Sequence, residues 1–143
     1  MAYFRLINSA LNDANFDLFG DGKVTRDFTY IDDVIFTIQQ LALELSSRAP
    51  TFSDVVNVGG GNPASMNEMI EAISTYVGVT LKINKVDMHH NDVDSTNADP
   101  SYLQSLIGVS PKTHLHEGLA NVIEWGRMEK VRENLPNWIK SSI

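Results

Sequence analysis

No cysteine occurs among the 143 residues. Disulfides, thiolate metal sites and thiol nucleophiles are therefore excluded. Positive charge is also scarce: 11 Lys and Arg stand against 18 Asp and Glu, for a net charge of −7. General nucleic-acid binding needs clustered cations to meet phosphates, so that class is excluded too. An anionic ligand would need positive charge gathered locally. No apolar run approaches the roughly 18 residues of a membrane span. Runs such as Val34-Ile35-Phe36 are short and broken by polar residues. The N-terminus has neither the basic start nor the apolar stretch of a secretory signal. These absences predict a cytoplasmic protein with no membrane partner. The rest of the composition is ordinary, 43% hydrophobic and 20% charged, on a length suited to one domain.

The chain alternates between helical and extended patterns, with frequent punctuation. Tyr3, Phe4, Ile7, Ala10 and Leu11 share a helical face. Phe16 to Phe19 alternates as a short strand, Gly20-Asp21-Gly22 reads as a tight turn, and Val24 to Tyr30 returns extended. Asp32 or Asp33 can cap a helix running to about Ser47. Its apolar stripe, with Val34, Ile35, Ile38, Leu41, Ala42 and Leu45, predicts burial on more than one side. Val55 to Val58 reads as a short buried strand closed by Gly59-Gly60-Gly61. Ser65 and Glu68 form a capping box for the next helix, which Gly78 ends. Val79 to Ile83 alternates as a strand. Asp99-Pro100 opens a short helix ending at Gly108, and Thr113 can cap a last helix carrying Leu115, Leu119, Val122, Ile123 and Trp125. Trp125 and the aliphatic helix positions are core by default. The predicted fold class is α/β, with several helices and short strands.

At Arg26-Asp27-Phe28-Thr29-Tyr30-Ile31-Asp32-Asp33 the order of residues becomes specific. It resembles the motif of extended short-chain dehydrogenase/reductase enzymes that epimerise or dehydrate nucleotide sugars. Further landmarks follow in that family's order: Val56-Asn57-Val58-Gly59, Asn91-Asp92-Val93 with Ala98-Asp99, then Gly108, Pro111-Lys112-Thr113, Glu117-Gly118-Leu119 and Trp125. Met1-Ala2-Tyr3-Phe4 is similar to the stretch that opens the family's C-terminal portion. The resemblance covers residues 1–127, as a C-terminal substrate-binding part, and leaves 128–143 as a tail. Its nearest subgroup is the UDP-glucuronate 4-epimerases.

The family's glycine-rich dinucleotide fingerprint has no match here. Its Tyr-x-x-x-Lys pair is missing as well: Tyr3, Tyr30, Tyr76 and Tyr102 are followed four residues later by Ile7, Val34, Thr80 and Leu106. The resemblance thus implies a fragment without a complete Rossmann domain. NAD is implied for the full-length family and for none of this chain's own residues. The parent chemistry is transient hydride transfer from the sugar to NAD, with tyrosine as the proton-transfer group. This chain would supply the nucleotide anchor and no catalytic residue.

The resemblance assigns binding roles to five residues. Arg26 would meet the diphosphate, since a guanidinium fits phosphate oxygens; the plain alternative is an ion pair with Asp27, Asp32 or Asp33. Asp92 would hold the ribose hydroxyls as a pure acceptor, or else stabilise a turn. Phe19 would pack on the uracil ring, or else face the core. Asp17 would meet the base through its backbone. His89 falls where relatives carry Arg or Gln near the phosphates, and it can donate there. Phe28 stands where Tyr is common, Asn91 where Gly is usual, and Asp94 where Pro is common. A metal site at His89, His90 and Asp92 is not expected, because adjacent residues on extended chain point apart. Gly59-Gly60-Gly61 lacks the lysine and spacing of a phosphate cradle, which leaves a loop of permissive backbone.

Two functional classes follow. The first is the portion of an NAD-dependent epimerase or dehydratase that binds a nucleotide sugar, with a UDP-sugar held weakly. The second is a stand-alone interaction module derived from such a portion. In both, apolar surface on the helix from Asp33 to Ser47, including Phe36 and Leu43, is left open for a homodimer or a cofactor-binding half.

Overall fold

A computed structural model describes residues 2–88 and 93–128. Five helices and four short strands are present among them. In chain order they are α1 (Ala2–Asn12), β1 (Asn15–Phe19), β2 (Thr25–Arg26), α2 (Ile31–Ser46), β3 (Ala64–Ser65), α3 (Met66–Val77), β4 (Lys82–Val86), α4 (Ser101–Ile107) and α5 (Leu115–Arg127). They fall into two units. One draws on Met1–Val24, Ser65–Asp94 and His116–Ile143, the other on Thr25–Ala64 and Ser95–Leu115. No helix among the described residues is long and apolar enough to cross a membrane.

The first unit holds nearly all the apolar core. Leu6, Ile7 and Ala10 of α1 are buried, with Phe16 and Leu18 of β1, Met69, Ala72 and Ile73 of α3, Leu81, and Leu119 and Ile123 of α5. The buried face of α1 is turned toward Leu6 and Ser9, leaving Tyr3, Phe4 and Leu11 at its margin. Asp13 ends α1 in the left-handed region at φ 55°, and the Ala14 N–H closes the last turn on the Ser9 carbonyl at 3.0 Å. β1 then pairs in parallel with β4, Asn15 opposite Lys82 and Phe19 opposite Val86. The expected strand at Val79 to Ile83 therefore sits three residues further on, because α3 and its αL cap at Gly78 consume the start. The Ser65 side chain accepts from the Glu68 N–H while the Glu68 carboxylate accepts from the Ser65 N–H, so the capping box is complete.

Trp125 corrects the expectation of a core residue. It is 40% exposed and meets Phe4 edge-on, with ring centroids 5.7 Å apart. Its helix buries Leu119 and Ile123, a stripe that Trp125 flanks.

The second unit has a different physical basis. Leu103 is its one fully buried large apolar side chain among the described residues. α2 packs against α4 and buries Thr37. The wide burial expected of α2 is not found: Ile31, Ile35, Phe36, Ile38, Leu43 and Leu45 are all exposed. Neither Asp32 nor Asp33 caps this helix. Tyr30 holds the N-cap position, and both aspartates lie in the first turn, where the helix dipole favours them. Asp33 reaches away to accept from the N–H groups of Lys112 at 3.0 Å and Thr113 at 2.8 Å. α5 consequently starts at Leu115, one turn position beyond the expected Thr113 cap. Val55 to Val58 is not a strand, and Val55 is 87% exposed. An apolar alternating run becomes a strand only when another strand satisfies its backbone, and none among the described residues does so.

Truncating Ile73 to Ala, at 0% exposure, should cost about 2–5 kcal/mol by transfer and cavity terms. Val55→Ala should stay within about 0.5 kcal/mol. Urea unfolding followed by circular dichroism separates the two.

The carboxylates also set an acid limit. At Asp33 partial burial pushes the pKa up, but the Thr113 and Lys112 hydrogen bonds outweigh it and hold the carboxyl below its ordinary value. Asp21 is lowered by Lys23, Asp54 by the Tyr102 hydroxyl, Glu68 by the Ser65 backbone N–H and Asp99 by Ser101. A lowered folded pKa gives stability that is fully present above the unfolded value, about 4, and lost as pH falls through the folded one. Thermal unfolding should therefore be nearly flat from about pH 7 to 5 and fall below about pH 4. The Asp33→Asn variant should show a shallower acid fall; an unchanged slope would remove Asp33 from the account.

Candidate functional site

β1 places two of the five sequence-assigned residues. Strand geometry alternates side chains, and Phe16 and Leu18 take the core side. Asp17 and Phe19 are thereby turned to the opposite face, both half-buried. Phe19 thus lies on the face away from Phe16 and Leu18. The Asp17 carboxylate accepts from the Asn84 side-chain amide at 2.8 Å, across the β1–β4 pair. Its side chain is engaged within the sheet. Phe19 is followed by Gly20 at φ 73°, whose N–H donates to the Val86 carbonyl at 2.9 Å.

Arg26 lies in the second unit, half-buried on β2. Its Nη1 donates to the Thr25 carbonyl at 2.8 Å. Both neighbours of Arg26 are tied down. The Thr25 carbonyl accepts from the Thr96 N–H at 3.2 Å, and the Thr25 hydroxyl donates to the Ser95 hydroxyl at 2.8 Å. On the other side, Asp27 Oδ2 accepts from the N–H groups of Gly61 and Ala98, both at 3.0 Å. The Asp27 N–H adds a long contact of 3.4 Å to the Thr96 hydroxyl. Asp27 Oδ1 is buried and has no hydrogen-bond partner among the described residues.

Asp27 is the residue that sequence reasoning missed. Considered only as an ion-pair partner for Arg26, it instead clamps two loops. A signal was present in the Gly59-Gly60-Gly61 run. Gly59 is buried so closely that an added Cβ would collide with the Ala98 side chain, and Gly61 sits at φ 63°. Such a loop is shaped by close backbone approach.

His89 and Asp92 lie outside the described residues, so their expected roles have no geometry here. Asp17 and Phe19 are brought to one side of a strand, while Arg26 belongs to the other unit. No group of three metal-ligating side chains occurs among the described residues. The Gly59–Gly61 loop does not suit a dinucleotide: its Gly61 N–H is already committed to Asp27, and Gly59 is closed over by Ala98.

Comparison with known proteins shows the family and the fold. Residues 1–59 match the NAD dependent epimerase/dehydratase family. A probable UDP-glucuronate 4-epimerase of Rhizobium meliloti (strain 1021) is 34% identical over 140 residues, 87% of this chain and 41% of that protein. The UDP-glucuronate 4-epimerase of Thermodesulfobacterium geofontis is 34% identical over 89% of this chain and 38% of its own length. Among solved structures, MoeE5 in complex with UDP-glucuronic acid and NAD has a TM-score of 0.79 at 35% identity, over 89% of this chain and 41% of its own. The UDP-glucuronic acid 4-epimerase from Bacillus cereus, in complex with UDP-glucuronic acid and NAD, has a TM-score of 0.75 at 33% identity, over 87% and 40%. The chain thus spans about 40% of the length of the relatives it matches. Over that span its mixed α/β fold and its sequence agree with theirs, and the chain belongs to the NAD dependent epimerase/dehydratase family.

Proposed function

We propose that the chain is the nucleotide-sugar-binding portion of an NAD-dependent sugar epimerase, with a UDP-sugar as ligand. The observation that carries this is the likeness to MoeE5, solved with UDP-glucuronic acid and NAD, across 89% of the chain. In this reading Arg26 meets the diphosphate and Asp92 the ribose hydroxyls. His89 stands near the phosphates, Phe19 lies against the base, and the Asp17 backbone reads its edge. The clamped frame around Arg26 supports its role. Binding energy gathered on the nucleotide, remote from the reacting carbon, orients the sugar. NAD and the proton-transfer groups belong to other residues of such an enzyme, and this chain alone turns over no sugar.

A second reading, a self-associating module, is favoured by one feature of α2. Ile31, Ile35, Ile38, Ala42 and Leu45 follow a four-three-four-three spacing along one face. That is the seam spacing of a coiled coil. The four large members are 47–59% exposed.

Calorimetric titration with UDP tests the first reading. The Arg26→Ala variant should bind at least about tenfold more weakly, since a hydrogen bond to a charged group is worth roughly 1.5–3 kcal/mol. Equal affinity in the variant would sink the assignment. Sedimentation over a concentration series tests the second. Self-association should be present in the parent chain and lost when Ile35 and Ile38 are both replaced by Glu; a strictly monomeric parent chain contradicts it.

A further inference from the structure

We infer that Asp27 is a positioning residue for Arg26, so that its carboxylate governs phosphate binding without touching the ligand. The inference rests on the reading of Arg26 as the diphosphate contact. Its basis is the asymmetry of the Asp27 carboxylate. Oδ2 takes both strong bonds, from the Gly61 and Ala98 N–H groups, while Oδ1 is buried with no partner among the described residues. Hydrogen bonds to an ionised acceptor are about twice as strong as neutral ones, so two backbone donors on one carboxylate oxygen make a firm clamp. Leaving the other oxygen unpaired is costly, and a buried orphan of this kind calls for an explanation.

Position is that explanation. Gly61 and Ala98 lie 34 and 71 residues from Asp27 in sequence, so the carboxylate joins three separate segments at one point. Gly59 and Gly61 let those segments approach, because a side chain at Gly59 would collide with Ala98. On the opposite flank Thr25 is held by Thr96 and Ser95. Arg26 is bracketed by these two attachments, and its guanidinium is drawn back onto the Thr25 carbonyl. A long, flexible side chain loses much rotamer freedom when it binds a phosphate. Fixing the backbone on both sides lowers the part of that cost still to be met at binding. A neutral acceptor at position 27 would keep the geometry, whereas losing the acceptor would free the strand on one side.

The test is UDP titration of the whole chain in a cycle of variants, with amide hydrogen exchange at Gly61 and Ala98 measured alongside. Asp27→Ala should speed exchange at both amides and weaken UDP by about tenfold or more. Asp27→Asn retains an acceptor for both amides and should restore most of the affinity. Asp27→Glu keeps the charge but displaces it by one methylene, and should bind nearly as poorly as Asp27→Ala. In the Arg26→Ala background, Asp27→Ala should cost less than about threefold more, because coupled residues are not additive. Wild-type affinity in Asp27→Ala or Asp27→Glu overturns the inference. So do losses at positions 26 and 27 that simply multiply. Should Asp27→Ala fail to fold, the Glu and Asn pair decides alone. A parent chain that binds no UDP overturns the reading of Arg26 itself, a result distinct from unchanged affinity in the variants.

Discussion

Two aspartates hold together a unit that has almost no apolar core. Asp27 gathers the Gly61 and Ala98 amides, and Asp33 gathers those of Lys112 and Thr113. With Leu103 as the one fully buried large apolar residue among those described in this unit, burial alone contributes little there. Charge-assisted bonds to backbone therefore set its loops. They are directional, so the positions they fix are narrow. Asp33, whose carboxyl these bonds hold below its ordinary value, also ties this unit's stability to pH, which a greasy core would not do.

The first unit is governed by burial. Its helices α1, α3 and α5 and the strand β1 contribute buried apolar side chains, and α3 is closed by a cap at each end. This unit supplies a firm strand, β1, whose face away from the core carries Asp17 and Phe19. α2, which carries Asp33, has the apolar pattern of a core helix and leaves most of that stripe exposed.

Much of the fold was legible because its signals are local. The Ser65 and Glu68 box, the αL glycines at 78 and 108, and the alternation of Phe16 to Phe19 each depend on residues within a few positions. Errors arose where a distant partner decides. Val55 to Val58 has the composition of a strand and lacks a neighbouring one. Asp33 is placed as a helix cap should be, but its donors lie 79 and 80 residues away. Asp27 stands in the most recognisable motif of the chain, and its attachments cannot be read from that motif. The roles proposed for Arg26, Phe19 and Asp17 come from the resemblance, as do those for His89 and Asp92, which lie outside the described residues.

The central proposal is that Arg26 holds the diphosphate of a nucleotide ligand. Amide chemical-shift mapping of the isotopically labelled chain during titration with UDP-glucuronic acid tests it most directly. The account predicts saturable shifts at Phe19, Gly20 and residues 25–27, with the apolar core of α1 and α3 undisturbed. Shifts confined to other regions, or none at millimolar ligand, would contradict it.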